Sequence, residues 1–376
     1  MMLWNDITRT ILPALRNNGN SLALLRSLTS SSTSESIQIN ETKHSATIVL
    51  NRPKVLNAMN MDMVLKIQAQ LTKFEESKSL VIVKGSGGKS FSVGGDISSL
   101  LKAGLEESRI FFRKVYTLLY FIANKKVPNI ALIDGVTMGG GFGLAVHGKY
   151  CIATERTVLA MPETAIGLFP DVGSSCFLNR LNGKLGLYLG MTGSRLMGED
   201  IARVGLATHF CKSSQLPALE AELLNANHSN EVPKILNEFS LKLEPKEEGI
   251  SLLMAKINAN FNVKTVEDIF KNLEKDDSEW ALKTLASLKE KCPLSLKLTF
   301  RQMQLGVNLP LDECLKMEYR MASRCLGNDD FKEGVRALLI DKDKNPAWKP
   351  ATLEAVTDEY VATFFARLPE NQELKL

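Results

Sequence analysis

A chain of 376 residues, 44% of them hydrophobic, can bury a large core and is longer than one compact domain usually requires. Its 46 basic and 42 acidic residues are interspersed and leave a net charge of only +4, which argues against a nucleic-acid partner. The six cysteines form no CxxC pair, so the sequence indicates neither a disulfide framework nor a zinc site, and a reducing compartment fits best.

The first 35 residues differ in composition from the rest of the chain. They carry Arg9, Arg16 and Arg26 among Leu, Ile and Ala, then a serine-rich run, and they contain only two acidic residues. This pattern is typical of a mitochondrial transit peptide, and a disordered tail without a targeting role is the alternative. No later segment is apolar for long enough to span a bilayer, so we expect a soluble mature protein without a membrane partner.

Strands and helices alternate in the part that follows. Ile48–Leu50, Leu80–Gly85 and Asn129–Ile133 are short apolar runs typical of buried strands, and residues 61–74 have the apolar spacing of a helix. Alternation of this kind predicts an α/β domain with right-handed crossovers.

From about Gly193 onward the apolar spacing becomes mainly helical. The clearest helical segments are residues 216–224, 266–273, 280–288 and 311–321. We therefore predict three parts: a leader over residues 1–35, a core domain over 36–230, and a helical C-terminal region over 231–376.

Two glycine-containing loops follow predicted strands. Phe91–Ile97 follows the second strand, and its glycines let the main chain approach a ligand with exposed N–H groups. Gly139-Gly140-Gly141 follows the third strand and is expected to open a helix, whose first N–H groups carry the positive end of the dipole. Together the loops can supply two donors to an oxyanion hole. A triple glycine by itself is more often a tight turn, and the GxGxxG fingerprint is absent from the sequence.

Two carboxylates, Glu163 and Asp171, stand eight positions apart in the apolar run from Met161 to Asp171. Loss of water around them would raise their pKa towards the range of a general base. The alternatives are that Glu163 is a first-turn helix carboxylate and Asp171 a helix cap or turn residue. His147 and His209 lack a neighbouring acid or nucleophile in the sequence, so we assign them no role.

These features occur in an order and at a spacing that resemble the enoyl-CoA hydratase/isomerase (crotonase) superfamily. The resemblance covers the chain from about residue 37 to the C-terminus. It is carried by four segments: Asn51–Ala58, Val93–Asp96, Gly139–Gly141 and Met161–Glu163. Three further segments are similar to the branch that hydrolyses short 3-hydroxyacyl-CoA thioesters in valine breakdown: Met161–Gly173, Ala207–Phe210 and Phe331–Asp343.

The resemblance implies a crotonase-like α/β fold, a spiral of ββα units with a helical C-terminal region. It also implies a bent acyl-CoA substrate whose thioester carbonyl lies between two backbone N–H groups, which by position are those of Val93 and Gly140. The substrate-binding residues implied by position are Gly94, Gly95, Asp96, Gly139 and Gly141. No metal and no redox cofactor are implied, since CoA is part of the substrate. A homo-oligomer stays open, because members of the superfamily often form trimers.

The resemblance also limits which of the superfamily's reactions is expected. Hydratases of the superfamily use a second glutamate three positions after the glycine-loop donor, and Gly143 stands there in this chain. Hydration of an enoyl-CoA is therefore disfavoured, and hydrolysis of the thioester is expected. Glu163 is implied as the nucleophile or the general base, and Asp171 as the group that orients the acyl hydroxyl or assists proton transfer to the leaving thiol.

The chain departs from the family at three places around the implied pocket. Val93 stands where the family has alanine, Lys114 and Val115 stand where it often has paired glutamates, and Ser174 begins a Ser-Ser-Cys run where it has glycine and an aromatic residue. These departures keep two other hypotheses open. One is a diverged, non-catalytic member that acts as an interaction subunit; the other is a different reaction, such as double-bond isomerisation by a single glutamate.

Overall fold

The computed structural model describes residues 35–244 and 249–376. The predicted transit peptide therefore lies outside the described residues except for Glu35, its last residue. Residues 36–376 group into one unit, and the predicted division of the chain at residue 230 stays a prediction.

The strands are short and mostly apolar, as strands covered on both faces usually are. The predicted strands at Leu80–Gly85 and Asn129–Ile133 are confirmed, and the one at residues 48–50 begins earlier, at Ser45. The described strands are β1 Ile37–Glu41, β2 Ser45–Leu50, β3 Leu80–Gly85, β4 Ser90–Ser92, β5 Asn129–Ile133, β6 Val136–Met138, β7 Tyr150–Ala153, β8 Val158–Ala160, β9 Leu196–Met197 and β10 His209–Phe210.

These strands form two sheets in the part of the chain that the structure describes. The larger sheet has the order β1-β2-β3-β5-β7-β10 and is parallel except for the β1–β2 pair. The smaller sheet has the order β4-β6-β8-β9 and is parallel except for the β8–β9 pair. The pairs β3–β4, β5–β6 and β7–β8 each place their first strand in the larger sheet and their second in the smaller one. The chain thus winds repeatedly through both sheets, which confirms the predicted spiral.

The helices also agree with the apolar spacing. The predicted helix at residues 61–74 is observed as Met61–Glu75, where the Asn60 side chain caps the first turn by accepting from the Met63 N–H at 3.0 Å. The described α-helices are α1 Met61–Glu75, α2 Ile97–Ala103, α3 Leu105–Asn124, α4 Gly140–Val146, α5 Ser174–Phe177, α6 Leu185–Thr192, α7 Glu199–Arg203, α8 Leu216–Asn225, α9 Val232–Phe239, α10 Met254–Phe261, α11 Val266–Asp276, α12 Glu279–Lys289, α13 Pro293–Gly306, α14 Leu311–Cys325, α15 Asp329–Val335 and α16 Asp358–Phe365. A π-helical turn, Arg336–Ile340, follows α15 directly.

The two faces of the larger sheet are buried in different layers. Side chains alternate between the faces of a strand, so Val81 and Val83 of β3 join the main hydrophobic core. Leu80 and Ile82 of the same strand face a second, smaller cluster that α8 and α9 cover. Both faces are therefore closed to water, which explains why β3 reads as a continuous apolar run.

The C-terminal helices reach the segment that follows Asp171. Helices α13 and α14 pack against the short helix α5, and α14 also packs against α3. Side chains from the last third of the chain therefore lie directly behind that segment. Among the described residues, no helix combines the length and apolar character needed to cross a bilayer.

Candidate active site

A cavity of about 670 Å³ lies where the candidate segments meet. Eight of the predicted site residues line it: Val93, Gly94, Gly95, Asp96, Gly139, Gly140, Glu163 and Asp171. The ninth, Gly141, does not reach the cavity, because its α-carbon packs against the backbone of Ser92 and leaves no room for a side chain. Gly141 is thus required for packing, and its role as a substrate contact stays a prediction.

Glu163 follows β8 and opens a short 3₁₀ turn, Glu163–Ile166. It is thus a first-turn carboxylate, as the alternative interpretation held, but only 7% of it is exposed. Its Oε2 atom has no hydrogen-bond partner among the described residues. Its Oε1 atom lies 2.5 Å from the point where a Cβ on Gly139 would stand, so glycine is required there for the carboxylate to sit at the glycine turn. Burial, reinforced by the charge of Asp171, raises the pKa of Glu163 well above its usual value.

Asp171 is also buried, with 8% of its surface exposed. The Tyr116 hydroxyl of α3 donates a hydrogen bond to Asp171 Oδ2 at 2.8 Å. Burial raises the pKa of Asp171 to about 6, although the Tyr116 hydrogen bond opposes that shift. Tyr116 was not predicted as a site residue, since in the sequence it is one aromatic residue among several on the apolar face of α3.

The two glycine loops meet beside these carboxylates. Gly94 has a φ of +93°, and a Cβ at this position would stand 3.1 Å from the Gly140 nitrogen. Gly140 is the first residue of α4, so its N–H has no partner within the helix. Among the described residues, the N–H groups of Gly95 and Gly140 have no hydrogen-bond acceptor, and the Gly95 nitrogen lies 3.7 Å from the Cβ position of Gly140.

The structure corrects the prediction that Val93 supplies an oxyanion donor. The Val93 N–H already donates to the Leu56 carbonyl at 3.2 Å, so it is not available to a ligand. The Met59 N–H donates to the Gly94 carbonyl, and the Met59 carbonyl accepts from the Asp96 N–H. The N–H of Gly95, which lies between these two bonds, is left free among the described residues. Sequence alone could not separate these donors, since the pairing partners come from a distant loop.

Gly143, which stands where hydratases of the superfamily have their second glutamate, has no space beside it for a larger side chain. A Cβ on Gly143 would stand 2.9 Å from Val172 Cβ and 3.2 Å from Leu119 Cδ1. Both neighbours are buried parts of the core, so a larger side chain does not fit without backbone movement.

Neither histidine belongs to the cavity lining. His147 is hydrogen-bonded through Nε2 to the Val172 carbonyl at 2.7 Å, and burial lowers its pKa to about 4. His209 is hydrogen-bonded through Nδ1 to the Thr208 hydroxyl at 2.8 Å. Both are packed side chains, in agreement with the prediction that gave them no role.

Two of the three departures from the family lie in the cavity wall. Val93 and Val115 line it, and Val115 stands among Phe111 and Phe112 in an apolar part of the wall. Ser174 does not line it but lies behind it, fully buried. The substitution at Ser174 therefore leaves the cavity surface itself unchanged.

Further residues at the rim of the cavity come from two of the segments that carry the resemblance, Asn51–Ala58 and Phe331–Asp343. Leu338 and Leu339 of the π-helical turn and Lys342 after it line the cavity together with Lys54. Arg52, by contrast, is held by a salt bridge to Asp96 at 2.9 Å and by the Ala58 carbonyl at 2.6 Å. Among the described residues, no group of three or more His, Cys, Asp or Glu side chains is arranged to hold a metal ion.

Comparisons with known proteins identify similar sequences and folds. The family model described as enoyl-CoA hydratase/isomerase matches residues 45–365. Among curated proteins, the chain is similar to the mitochondrial 3-hydroxyisobutyryl-CoA hydrolase of Xenopus laevis, with 48% identity over 88% of each chain. It is 46% identical to the Homo sapiens protein of the same name over 85% of this chain and 86% of the relative.

Two crystal structures share the fold over nearly their full length. A carnitinyl-CoA dehydratase from Mycobacterium thermoresistibile has a TM-score of 0.84 and 30% identity, covering 91% of this chain and 98% of its own. An enoyl-CoA hydratase from Rhodobacter sphaeroides has a TM-score of 0.83 and 34% identity, covering 91% of this chain and 100% of its own.

Proposed function

The chain belongs to the enoyl-CoA hydratase/isomerase family, and from this premise we propose that it hydrolyses 3-hydroxyisobutyryl-CoA to 3-hydroxyisobutyrate and free CoA in the mitochondrial matrix, as a step of valine breakdown. The observation that carries this proposal is a buried glutamate with an unpartnered oxygen, Glu163, beside two unpartnered backbone N–H groups in one cavity. The named relatives hydrolyse this thioester and are mitochondrial. The leader over residues 1–35 and a homo-oligomer stay predictions.

The N–H groups of Gly95 and Gly140 form the oxyanion hole in this proposal. They polarise the thioester carbonyl and stabilise the negative oxygen that develops when the carbonyl carbon is attacked. Removal of one such donor typically costs about 3 kcal/mol of transition-state stabilisation. The positive end of the α4 dipole adds to the effect of Gly140.

Glu163 performs the attack or activates the water that does so. In the first route its carboxylate displaces the CoA thiolate and forms an anhydride, which water then cleaves to the free acid and Glu163. In the second route Glu163 takes a proton from water, whose oxygen attacks the carbonyl carbon. Both routes need the ionised carboxylate. In the first route the thiolate takes up the proton released when water cleaves the anhydride, and in the second Glu163 passes the proton it took from water to the leaving sulfur. Asp171 orients the substrate hydroxyl or assists that proton transfer, with its own carboxylate held by Tyr116.

The cavity argues against the two other hypotheses. A non-catalytic subunit has no need to retain Glu163, whose buried oxygen without a partner destabilises the folded state. A hydratase needs a second carboxylate at position 143, where Val172 leaves no space. Double-bond isomerisation by Glu163 alone is the remaining alternative function.

One assay separates hydrolysis of the thioester from hydration of an enoyl-CoA. Protein beginning at Ser36, the first residue of the described unit, is offered 3-hydroxyisobutyryl-CoA and crotonyl-CoA in parallel. We expect thiol release from the first substrate and no change in ultraviolet absorbance with the second. Absence of thiol release from 3-hydroxyisobutyryl-CoA would refute the proposed function.

The pH dependence of the reaction should follow the two carboxylates. Because the ionised forms are needed and both pKa values are raised, kcat/KM is expected to rise with pH through the ionisation of the pair, the Asp171 pKa lying near 6. Replacing Asp171 with asparagine removes the like charge beside Glu163. The pH profile of the residual activity should then have its midpoint at lower pH than in the wild type; an unchanged or higher midpoint would contradict this coupling.

Lys342 is proposed to bind the phosphates of CoA, because it is exposed at the rim of the cavity. Replacing it with alanine should raise KM about two- to fivefold with kcat nearly unchanged, since a solvent-exposed charge pair contributes up to about 1 kcal/mol. Lys344 is the matched control: it is exposed, has a similar positive φ and does not line the cavity. Equal KM values in the two alanine variants would remove Lys342 from the substrate site.

A further inference from the structure

A third buried carboxylate, Glu318 of α14, lies behind the cavity rather than in its wall. It is fully buried, and no Lys or Arg among the described residues forms a salt bridge with it. Its oxygens instead accept from the N–H groups of Gly173 at 2.6 Å and Ser175 at 3.0 Å, from Gln302 Nε2 at 3.3 Å, and from the Ser175 hydroxyl. Four donors thus converge on one carboxylate.

The backbone that these donors belong to has an unusual conformation. Val172 has a φ of +56°, a left-handed value that is a genuine outlier for a β-branched residue, and Gly173 follows with +83°. Such a conformation persists only where the surrounding structure holds it in place. The consecutive left-handed residues separate Asp171, which lines the cavity, from Ser174, which lies behind it.

Three anchors hold this turn. Glu318 binds the N–H groups on its C-terminal side, as described above. His147 is hydrogen-bonded to the carbonyl of Val172 at 2.7 Å, in the middle of the turn. Gln302 spans the turn: it donates from Nε2 to the carbonyl of Pro170 at 2.7 Å, on the N-terminal side, and to the Ser174 hydroxyl at 2.9 Å, on the C-terminal side. The serine substitutions that set this chain apart from the family therefore belong to the network around Glu318.

We propose that Glu318 is a positioning residue for the thioester reaction: by holding the Gly173 and Ser175 N–H groups, it fixes the left-handed turn at Val172 and keeps the Asp171 carboxylate directed into the cavity. This inference rests on the proposed function. Glu318 acts through Asp171 and touches no reacting atom. A misplacement of about 1 Å at the reacting groups is enough to slow a reaction about 100-fold.

Stability alone does not account for Glu318. Replacing buried ionic groups by well-packed apolar residues of similar volume is often neutral or stabilising. An ionised carboxylate is suited to this position for another reason: it offers acceptors only, and all of its partners are donors. Burial raises the pKa of Glu318 to about 8, and the hydrogen bonds from Ser175 and Gly173 oppose that rise by favouring the ionised form. It can therefore hold two N–H groups of the same turn at a set spacing, which an apolar side chain cannot do.

The test replaces Glu318 with glutamine, which keeps the shape of the side chain but sets an NH₂ group against donors. We expect kcat to fall about 30- to 100-fold, with KM changed less than about threefold. The decisive comparison is a double-mutant cycle with D171N. If Glu318 acts through Asp171, E318Q adds little to the loss already caused by D171N; fully multiplicative losses would overturn the proposal.

A matched control addresses stability. Asn260 is also buried and hydrogen-bonded, to the Lys256 carbonyl and Asp276, and it does not line the cavity. N260A should lower the melting temperature while leaving kcat of the folded protein unchanged. A wild-type kcat in folded E318Q would show that Glu318 is structural only, and would overturn the proposal.

Hydrogen exchange tests the positioning role of Glu318 without a measurement of enzyme activity. The Gly173 and Ser175 amides should exchange at least about tenfold faster in E318Q than in the wild type, with no change in N260A. Equal exchange would overturn the proposal even if the wild type releases no thiol, so the two proposals fail separately.

Should E318Q not fold, S175A takes its place, because it removes one donor hydroxyl from Glu318. We expect S175A to lower kcat in the wild-type background and to have little effect in the D171N background. A loss of kcat that persists in the D171N background would overturn the proposal.

Discussion

Replacing Glu163 with glutamine is expected to abolish CoA release from 3-hydroxyisobutyryl-CoA. The amide has the size of the carboxylate but can neither attack the thioester carbonyl nor take a proton from water. The loss in kcat should be about 100- to 10,000-fold if Glu163 is a general base, and above about 10,000-fold if it is the nucleophile. Single-turnover thiol release measures the difference, so the size of the effect also selects between the two routes.

The same variant should be at least as stable as the wild type. The pKa of Glu163 is raised in the folded state, so the folded protein binds its proton more tightly than the unfolded chain does. Stability of the wild type therefore falls as pH rises from the unfolded pKa to the folded one, and the neutral glutamine avoids this loss. E163Q should accordingly gain melting temperature relative to the wild type at pH 8 and gain little at pH 4.

A matched control for E163Q is E106Q on the exposed start of α3. It makes the same chemical change at a glutamate outside the cavity, and turnover should remain at the wild-type level. Near-normal thiol release by E163Q would refute the assignment of Glu163 as the nucleophile or general base. Loss of activity together with a lower melting temperature at pH 8 would mean that misfolding, rather than chemistry, explains the result.

Replacing Gly140 with proline should reduce kcat about 100- to 1,000-fold, because it removes the N–H that faces the carbonyl oxygen. Proline is tolerated at the first position of a helix, and Gly140 occupies that position in α4, so the helix should still form. The measurement is kcat with 3-hydroxyisobutyryl-CoA, with circular dichroism to confirm folding.

Alanine at Gly140 is the matched control. It retains the N–H, and its Cβ would be crowded by the flexible end of the Met59 side chain, at 3.2 Å, while Gly94 Cα and the Gly95 nitrogen would lie at an ordinary contact distance of 3.7 Å. The alanine variant should therefore keep kcat within about fivefold of the wild type, since a flexible side chain can move aside. Equal losses in the proline and alanine variants would show that crowding, not the missing donor, is responsible.

The local signals in the sequence predicted the two carboxylates and the two glycine loops of the cavity. Glycine runs after strands and carboxylates inside an apolar run are features of neighbouring residues, so Gly140, Glu163 and Asp171 could be selected before the fold was known. Each of them lines the cavity. Helices and strands followed in the same way from apolar spacing, as Met61–Glu75 and Leu80–Gly85 show.

Residues whose role depends on distant partners were missed or misassigned. Val93 and Gly95 look equally able to donate, and only the pairing of Val93 with Leu56 decides that Gly95 is free. Tyr116 becomes a site residue because α3 packs beside the turn that carries Asp171. Gly141 has the same local signal as Gly140, yet packing against Ser92 removes it from the cavity.

The sequence by itself determined the alternation of strands and helices and the pair of carboxylates, because apolar periodicity and glycine turns are properties of short stretches of chain. The family, and the spiral that it implies, followed from the resemblance that these segments carry in their order. The tertiary structure decided which N–H groups remain free, how far the pKa values of Glu163 and Asp171 rise, and how Glu318 holds the turn between them. Hydrogen-bond pairing and burial depend on residues that are far apart in the chain, and only the folded structure brings them together.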